Sequence, residues 1–286
     1  VQTIRLAYSP DSDDVFMFFA LRHGRVRAPG LDFVHERADT ETLNERAERG
    51  DVDVLAVSVA RFAELTSDWL LLPHGMSVGR GYGPVVVARP ELGLRGLASL
   101  RGRRVGVPGL RTTAHLVLRL LSPPLEPVPI PIEPFRRVFD AVDGGEVDAA
   151  VLIHEGRLTY GDRGLALVSD LGEAWLAETG LPLPLGGNAI RKGLGAETVA
   201  RVSEACRASI AWALEHRDEV LAALLAEEVR PETGLDRARL DRYLSLYAND
   251  DTRSTAEDVR RAMAELFARG RRAALLPPGG EPEIAP

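Results

Sequence analysis

The chain has 286 residues, 45% of them hydrophobic, which is enough for one large or two ordinary domains with a proper core. A formal charge of −7 and a pI near 5.5, with arginines scattered among acids, leave no electrostatic footprint for nucleic acid. The single cysteine, Cys206, excludes an internal disulfide framework and a cysteine-built metal site, and it lies in an apolar helical pattern as a small core residue.

In chain order, TIRLAY (3–8) alternates and stops at Ser9-Pro10, so it reads as a first strand. The loop SPDSDD (9–14) leads into a helix over 15–24, with Asp13 or Asp14 expected as its N-cap. LDFVHE (31–36) is a second strand, and ETLNERAERG (41–50) a short helix ended by Gly50. Residues 51–65 begin as a buried strand and pass into a helix, and 70–90 hold further strands around the turn GRGYG (79–83). GRRVGVPGLRTTAHLVLRLL (102–121) is strand, proline loop and helix. GGEVDAAVLIHEGRLTY (144–160) reads as a helix exit, a strand covered on both faces, and a histidine where that strand stops. LPLPLGGNAIRK (181–192) is an extended hinge segment, barred from a central strand by Pro182 and Pro184. Helical periodicity fills 196–228, 236–247 and 255–274, the last with Thr255 as cap, and the tail PPGGEPEIAP is expected to fray.

The chain repeats its own logic. The strand–loop–helix unit at 102–121 matches the opening one, with Pro108 against Pro10. GGEVDAAVLIH (144–154) echoes RGDVDVLAVSV (49–59), setting Gly145 against Gly50, Val147 against Val52 and Asp148 against Asp53. Two similar α/β lobes follow: residues 1–89 joined by 190–286, and an inserted 90–189 that includes the hinge. Two crossings place the ligand between the lobes. The opening VQTIRLAYSP lacks the basic region and apolar stretch of a signal peptide, and no segment approaches the ~20 apolar residues of a membrane span. The expectation is therefore a soluble, cytoplasmic protein.

Ligands of open α/β sheets bind beyond the carboxyl ends of the strands, which makes His154 a candidate for chemistry; a backbone-bonded strand-end histidine is the plain alternative. Thr112 and Thr113 open a helix after a Pro-Gly loop, where N–H groups and hydroxyls suit a carboxylate, although capping alone explains one of them. Arg80, between Gly79 and Gly81, could reach an anion or be a solvated arginine. Asp13 and Asp14 suit hydroxyls or an amine. They fail as calcium ligands for want of the loop glycine and distal glutamate, and His154-Glu155 is no zinc motif because residue 158 is Leu.

The segments ETLN (41–44), VSVARF (57–62), GRGYGPVVVAR (79–89), VPGLRTTA (107–114), LIHEGRLTY (152–160), DLGEAW (170–175) and TGLPLPLGGNAI (179–190) stand in an order that resembles the two-lobe type II periplasmic-binding-protein fold. More narrowly, the chain resembles the cytoplasmic branch that makes menaquinone by the futalosine route, nearer to the 1,4-dihydroxy-6-naphthoate synthases than to chorismate dehydratase. The resemblance implies a cofactor-free, metal-free lyase acting on cyclic dehypoxanthine futalosine, with His154 as its acid–base group. It implies ligand contacts from Asn44 and Ser58, which with Ser9, Asp13, Asp14, Arg80, Thr112, Thr113 and Asn188 make up the candidate substrate contacts. The partner implied is a small carboxylated aromatic substrate, and the protein would be a monomer or weak homodimer. One departure stands out: the synthases usually carry Ser-Pro-Cys-Pro-Asn-Asp as first loop, and here it is SPDSDD. A non-catalytic solute-binding protein on the same fold, or an enzyme for chorismate or another small carboxylate, are the alternatives.

Overall fold

The computed structural model describes residues 1–227 and 233–286. The chain opens with β1 (Gln2–Tyr8), α1 (Ser12–Arg22), β2 (Leu31–Arg37), α2 (Thr40–Arg46), β3 (Val54–Ser58), α3 (Val59–Phe62), β4 (Trp69–Leu71) and β5 (Ser77–Gly79). It then runs through β6 (Val85–Ala88), β7 (Arg104–Val107), α4 (Thr113–Leu121), β8 (Glu126–Pro129), α5 (Arg137–Asp143), β9 (Ala149–Leu152), α6 (Gly156–Thr159), β10 (Ala166–Asp170) and α7 (Leu171–Thr179). β11 (Leu183–Arg191) returns, followed by α8 (Ala196–Glu215), α9 (Arg217–Ala226), α10 (Arg237–Tyr247), α11 (Asp250–Arg253) and α12 (Glu257–Arg272). The helical pattern expected over 196–228 is thus two helices meeting at His216, and residue 228 lies outside the described residues.

The strands form two sheets, ordered β2-β1-β3-β11-β4 with β5 beside β11, and β10-β6-β9-β7-β8. In each, three parallel strands meet one antiparallel strand delivered from the other lobe: β11 against β3 and β6 against β9. Both crossings therefore fall earlier than expected. The first lies between Gly79 and Val85, so 85–88 belongs to the second sheet, and the second lies before Leu183, so 183–189 belongs to the first. Pro184 does sit in a strand that is central further along. It pairs only with Val78 of β5, while β3 does not reach past Gly186, so the missing N–H leaves no gap in a ladder.

The internal repeat is geometric as well as textual. Gly50 and Gly145 both take left-handed φ, 66° and 71°. The Asp53 carboxylate accepts from the Arg5 N–H and the Asp148 carboxylate from the Arg104 N–H, each clamping the two parallel strands of its own lobe. Helix α1 is apolar on nearly every side because the first sheet lies on one side and α8, α9 and α10 pack on the other. Helix α12 packs on β11 and α3 and also touches α4 of the second lobe. Cys206 is a core residue on α8, its thiol pushed up to about 12 by burial.

Three local expectations change. The N-cap of α1 is Asp11, and Asp13 and Asp14 lie within the first turn. Ala256, not Thr255, caps α12. The tail docks instead of fraying: Leu71 exchanges hydrogen bonds with Glu283 and Ala285, and Ala285 is buried. No helix among the described residues is long and apolar enough to cross a membrane.

Candidate functional site

A cleft of about 800 Å³ opens between the two sheets, lined by the ends of β3 and β9, the starts of α1, α2 and α4, and residues of β11 and α10. Ser9, Asp13, Asp14, Ser58, Thr112, Thr113 and His154, all expected from the sequence, line it together. Asn44, Arg80 and Asn188 do not. Asn44 is fully buried beside the wall, donating to the Ser58 hydroxyl (3.1 Å) and accepting from the Ser58 N–H (3.0 Å), so it fixes a lining residue. Asn188 donates to the Gly75 carbonyl across the sheet. Arg80 is taken up by Asp251 through two nitrogens (2.7 and 2.6 Å) and by Asp258 (2.7 Å), a pairing of the first crossing with the C-terminal helices.

His154 stands one residue beyond β9, after Ile153, and takes φ 53°, the left-handed region that a side-chain-bearing residue rarely occupies. Such strain persists where surrounding contacts over-determine it and concentrates at working sites. The contacts here come from the opposite lobe: Nε2 lies 2.9 Å from Asp11 Oδ2 and 3.1 Å from Thr40 Oγ1. The neighbouring Glu155, buried, accepts from both the N–H (3.0 Å) and the hydroxyl (2.7 Å) of Ser12. Two consecutive residues of the second lobe are thus engaged by the first loop of the first.

The other acids of that loop are held internally. Asp13 accepts from Ser77 (2.9 Å) and Tyr243 (2.8 Å), and burial followed by the nearby Asp11 charge raises its carboxyl above the ordinary range. Asp14 accepts from the Ser9 N–H (2.8 Å) and is raised further, chiefly by desolvation and then by Asp13 and Asp11. Burial also pushes Tyr243 well above the usual phenol range. All three groups hold their protons more firmly than the free side chains do.

At the start of α4 both threonine hydroxyls are already committed. Thr112 caps the helix, accepting from the His115 N–H (3.2 Å), and donates to Gly109 (2.8 Å). Thr113 donates to the Leu185 carbonyl (2.7 Å) and accepts from the Ala60 N–H (3.0 Å). What the helix start offers the cleft is therefore backbone, the first-turn N–H groups of Thr113 and Ala114. Arg157, on α6, brings a cation to the same cleft. It donates to the Gly83 carbonyl (2.7 Å) and pairs with Asp170, with its guanidinium 5.5 Å from the Tyr82 ring centre.

Sequence reasoning missed Asp11, Thr40, Ser77, Glu155, Arg157 and Tyr243. Arg157 was within reach, since one turn after a strand-end histidine returns a side chain to the same cleft. Tyr243 meets Asp13 across 230 residues, and no local pattern marks it.

The sequence model of a family described as menaquinone biosynthesis matches residues 4–272. The 1,4-dihydroxy-6-naphthoate synthase of Streptomyces coelicolor is 40% identical over 99% of this chain and 98% of its own, and that of Thermus thermophilus is 38% identical over 99% of each. Among solved structures, protein AF1704 of Archaeoglobus fulgidus is 42% identical with a TM-score of 0.87, covering 96% of this chain and 98% of that one. The alkanesulfonate-binding protein of Xanthomonas axonopodis pv. citri is only 15% identical, yet superposes with a TM-score of 0.72 over 99% and 96% of the two chains. The architecture is the two-lobe fold of the periplasmic binding proteins.

Proposed function

The chain belongs to the menaquinone biosynthesis family, and from that premise we propose that it is an enzyme, a cofactor-free cytoplasmic lyase converting cyclic dehypoxanthine futalosine to 1,4-dihydroxy-6-naphthoate. The observation that carries this reading is His154 beyond a strand end in the cleft between the lobes, in a chain that matches two such synthases over 99% of its length. Releasing the sugar-derived portion of the substrate requires proton transfer near an acidic or enolisable carbon, and an imidazole titrating near neutrality can both take and return the proton. The ring carboxylate is received by the Thr113 and Ala114 N–H groups at the positive end of α4, with Arg157 as a second source of positive charge in the cleft. Asp13, Asp14 and Ser58 line the remainder and meet the hydroxyl-bearing portion.

One observation favours a second reading, a binding protein without turnover: the first loop, which contributes Ser9, Asp13 and Asp14 to the cleft, departs from the synthase pattern. The purified protein mixed with cyclic dehypoxanthine futalosine separates the two. Release of 1,4-dihydroxy-6-naphthoate over many turnovers is expected. Saturable binding with no product would establish the second reading and overturn the first.

A further inference from the structure

Asp11 caps α1 by position and yet makes no side-chain bond to the helix, although aspartate is among the best capping residues. Its carboxylate, 1% exposed, instead accepts from Ser9 Oγ and lies 2.9 Å from Nε2 of His154 on the other lobe. A carboxylate oxygen at that distance calls for a proton on Nε2. The neutral imidazole is then the tautomer whose lone pair is on Nδ1.

We propose that Asp11 is a positioning residue for the reaction: it holds His154 as the Nε2–H tautomer, leaves Nδ1 as the base, and stabilises the imidazolium formed when the proton is taken. The proposal rests on the reading of His154 as the proton-transfer group. The step balances within the pair, since the substrate proton moves to Nδ1 and the Nε2 proton stays on the imidazole, facing a carboxylate that remains ionised. Because Asp11 and His154 come from different lobes, the base is oriented only with the cleft closed. Among the described residues, its charged and titratable surroundings include Asp11, Asp13 and Asp14 of the first loop and α1, Glu155 and Arg157 beside it in sequence, and Tyr243 of α10. The Asp11 carboxylate, 2.9 Å from Nε2, is assigned as the charge that raises the basicity of His154.

The test is nitrogen-detected NMR of the His154 ring in wild type, Asp11→Asn and Asp11→Cys, with and without saturating 1,4-dihydroxy-6-naphthoate, the signal being identified by its loss in His154→Gln. Wild type should show the Nε2–H tautomer at least in the naphthoate-bound protein, and the His154 pKa should fall by about one unit in Asp11→Asn. Kinetically, Asp11→Asn should lower kcat roughly tenfold or more with KM changed less than about twofold, and should move the acidic limb of the pH profile downward by the same unit. A structural role alone would lower yield or Tm without moving that limb. An Nδ1–H tautomer in both wild-type samples overturns the proposal without any variant having to fold. So does an unshifted pKa, or an unchanged kcat in Asp11→Asn beside an inactive His154→Ala. An active His154→Ala would instead fail the functional reading, and the ring spectra would still decide whether Asp11 pairs with His154.

Discussion

Asp14 loses most of its solvent at the cleft wall and is offered one N–H, that of Ser9, in return. Its carboxyl is raised in the folded protein above the unfolded value near 3.8, so the native state binds more protons than the unfolded one, and stability falls as pH rises through that window. Asp14→Asn keeps an acceptor for Ser9 and removes the charge. Thermal unfolding should therefore show a higher Tm than wild type at pH 7, and the gain should disappear below about pH 4, where both states of wild type are protonated. Equal Tm at pH 7 would mean that Asp14 ionises freely in the folded protein. At this scale the sequence was legible wherever chemistry and chain position coincide: His154 directly after a buried run, Thr112 and Thr113 after a Pro-Gly loop. It was not legible for Arg80, since a turn arginine looks the same whether it meets a ligand or, as here, Asp251 and Asp258 from far down the chain.

Among elements, the start of α4 joins the two halves, because the Thr113 hydroxyl serves the Ala60 N–H and the Leu185 carbonyl, both in first-lobe elements. Thr113→Val keeps the shape and strands both groups in a buried place. It should cost about 1–3 kcal/mol of stability, read as a lower urea midpoint with an unchanged slope. An unaltered midpoint would mean that neither bond matters. Strands and helices were readable because β9 is an unbroken apolar run and Gly50 and Gly145 punctuate their lobes. The crossings were misplaced because pairing partners decide which sheet a strand joins: 85–88 reads the same beside β4 or beside β9. The proline rule failed at Pro184 for the same reason, since β11 is central only beyond it.

Across the whole molecule the contacts between the lobes include, besides those of Thr113, Asp11 and Thr40 with His154, Ser12 with Glu155, Glu41 with the Arg111 N–H, Arg239 with Asp162, and Arg269 with Glu178. Arg80 stands outside this set and fastens the first crossing to α11 and α12. Arg80→Gln leaves Asp251, almost wholly buried, short of its partner, at a cost of about 1 kcal/mol given the half-exposed arginine. Tm should fall while the Kd for 1,4-dihydroxy-6-naphthoate stays within about twofold, and a large loss of affinity would return Arg80 to the binding site. In the proposed reaction His154 moves the proton inside a cleft that binds substrate without its help. Single-turnover release of 1,4-dihydroxy-6-naphthoate from bound cyclic dehypoxanthine futalosine, measured beside the Kd in wild type, His154→Ala and His154→Asn, tests it most directly. Release should be slower by about 10²–10⁴-fold in His154→Ala and slow in His154→Asn, with a Kd within a few fold of wild type for both; near-normal release from His154→Ala would contradict this role.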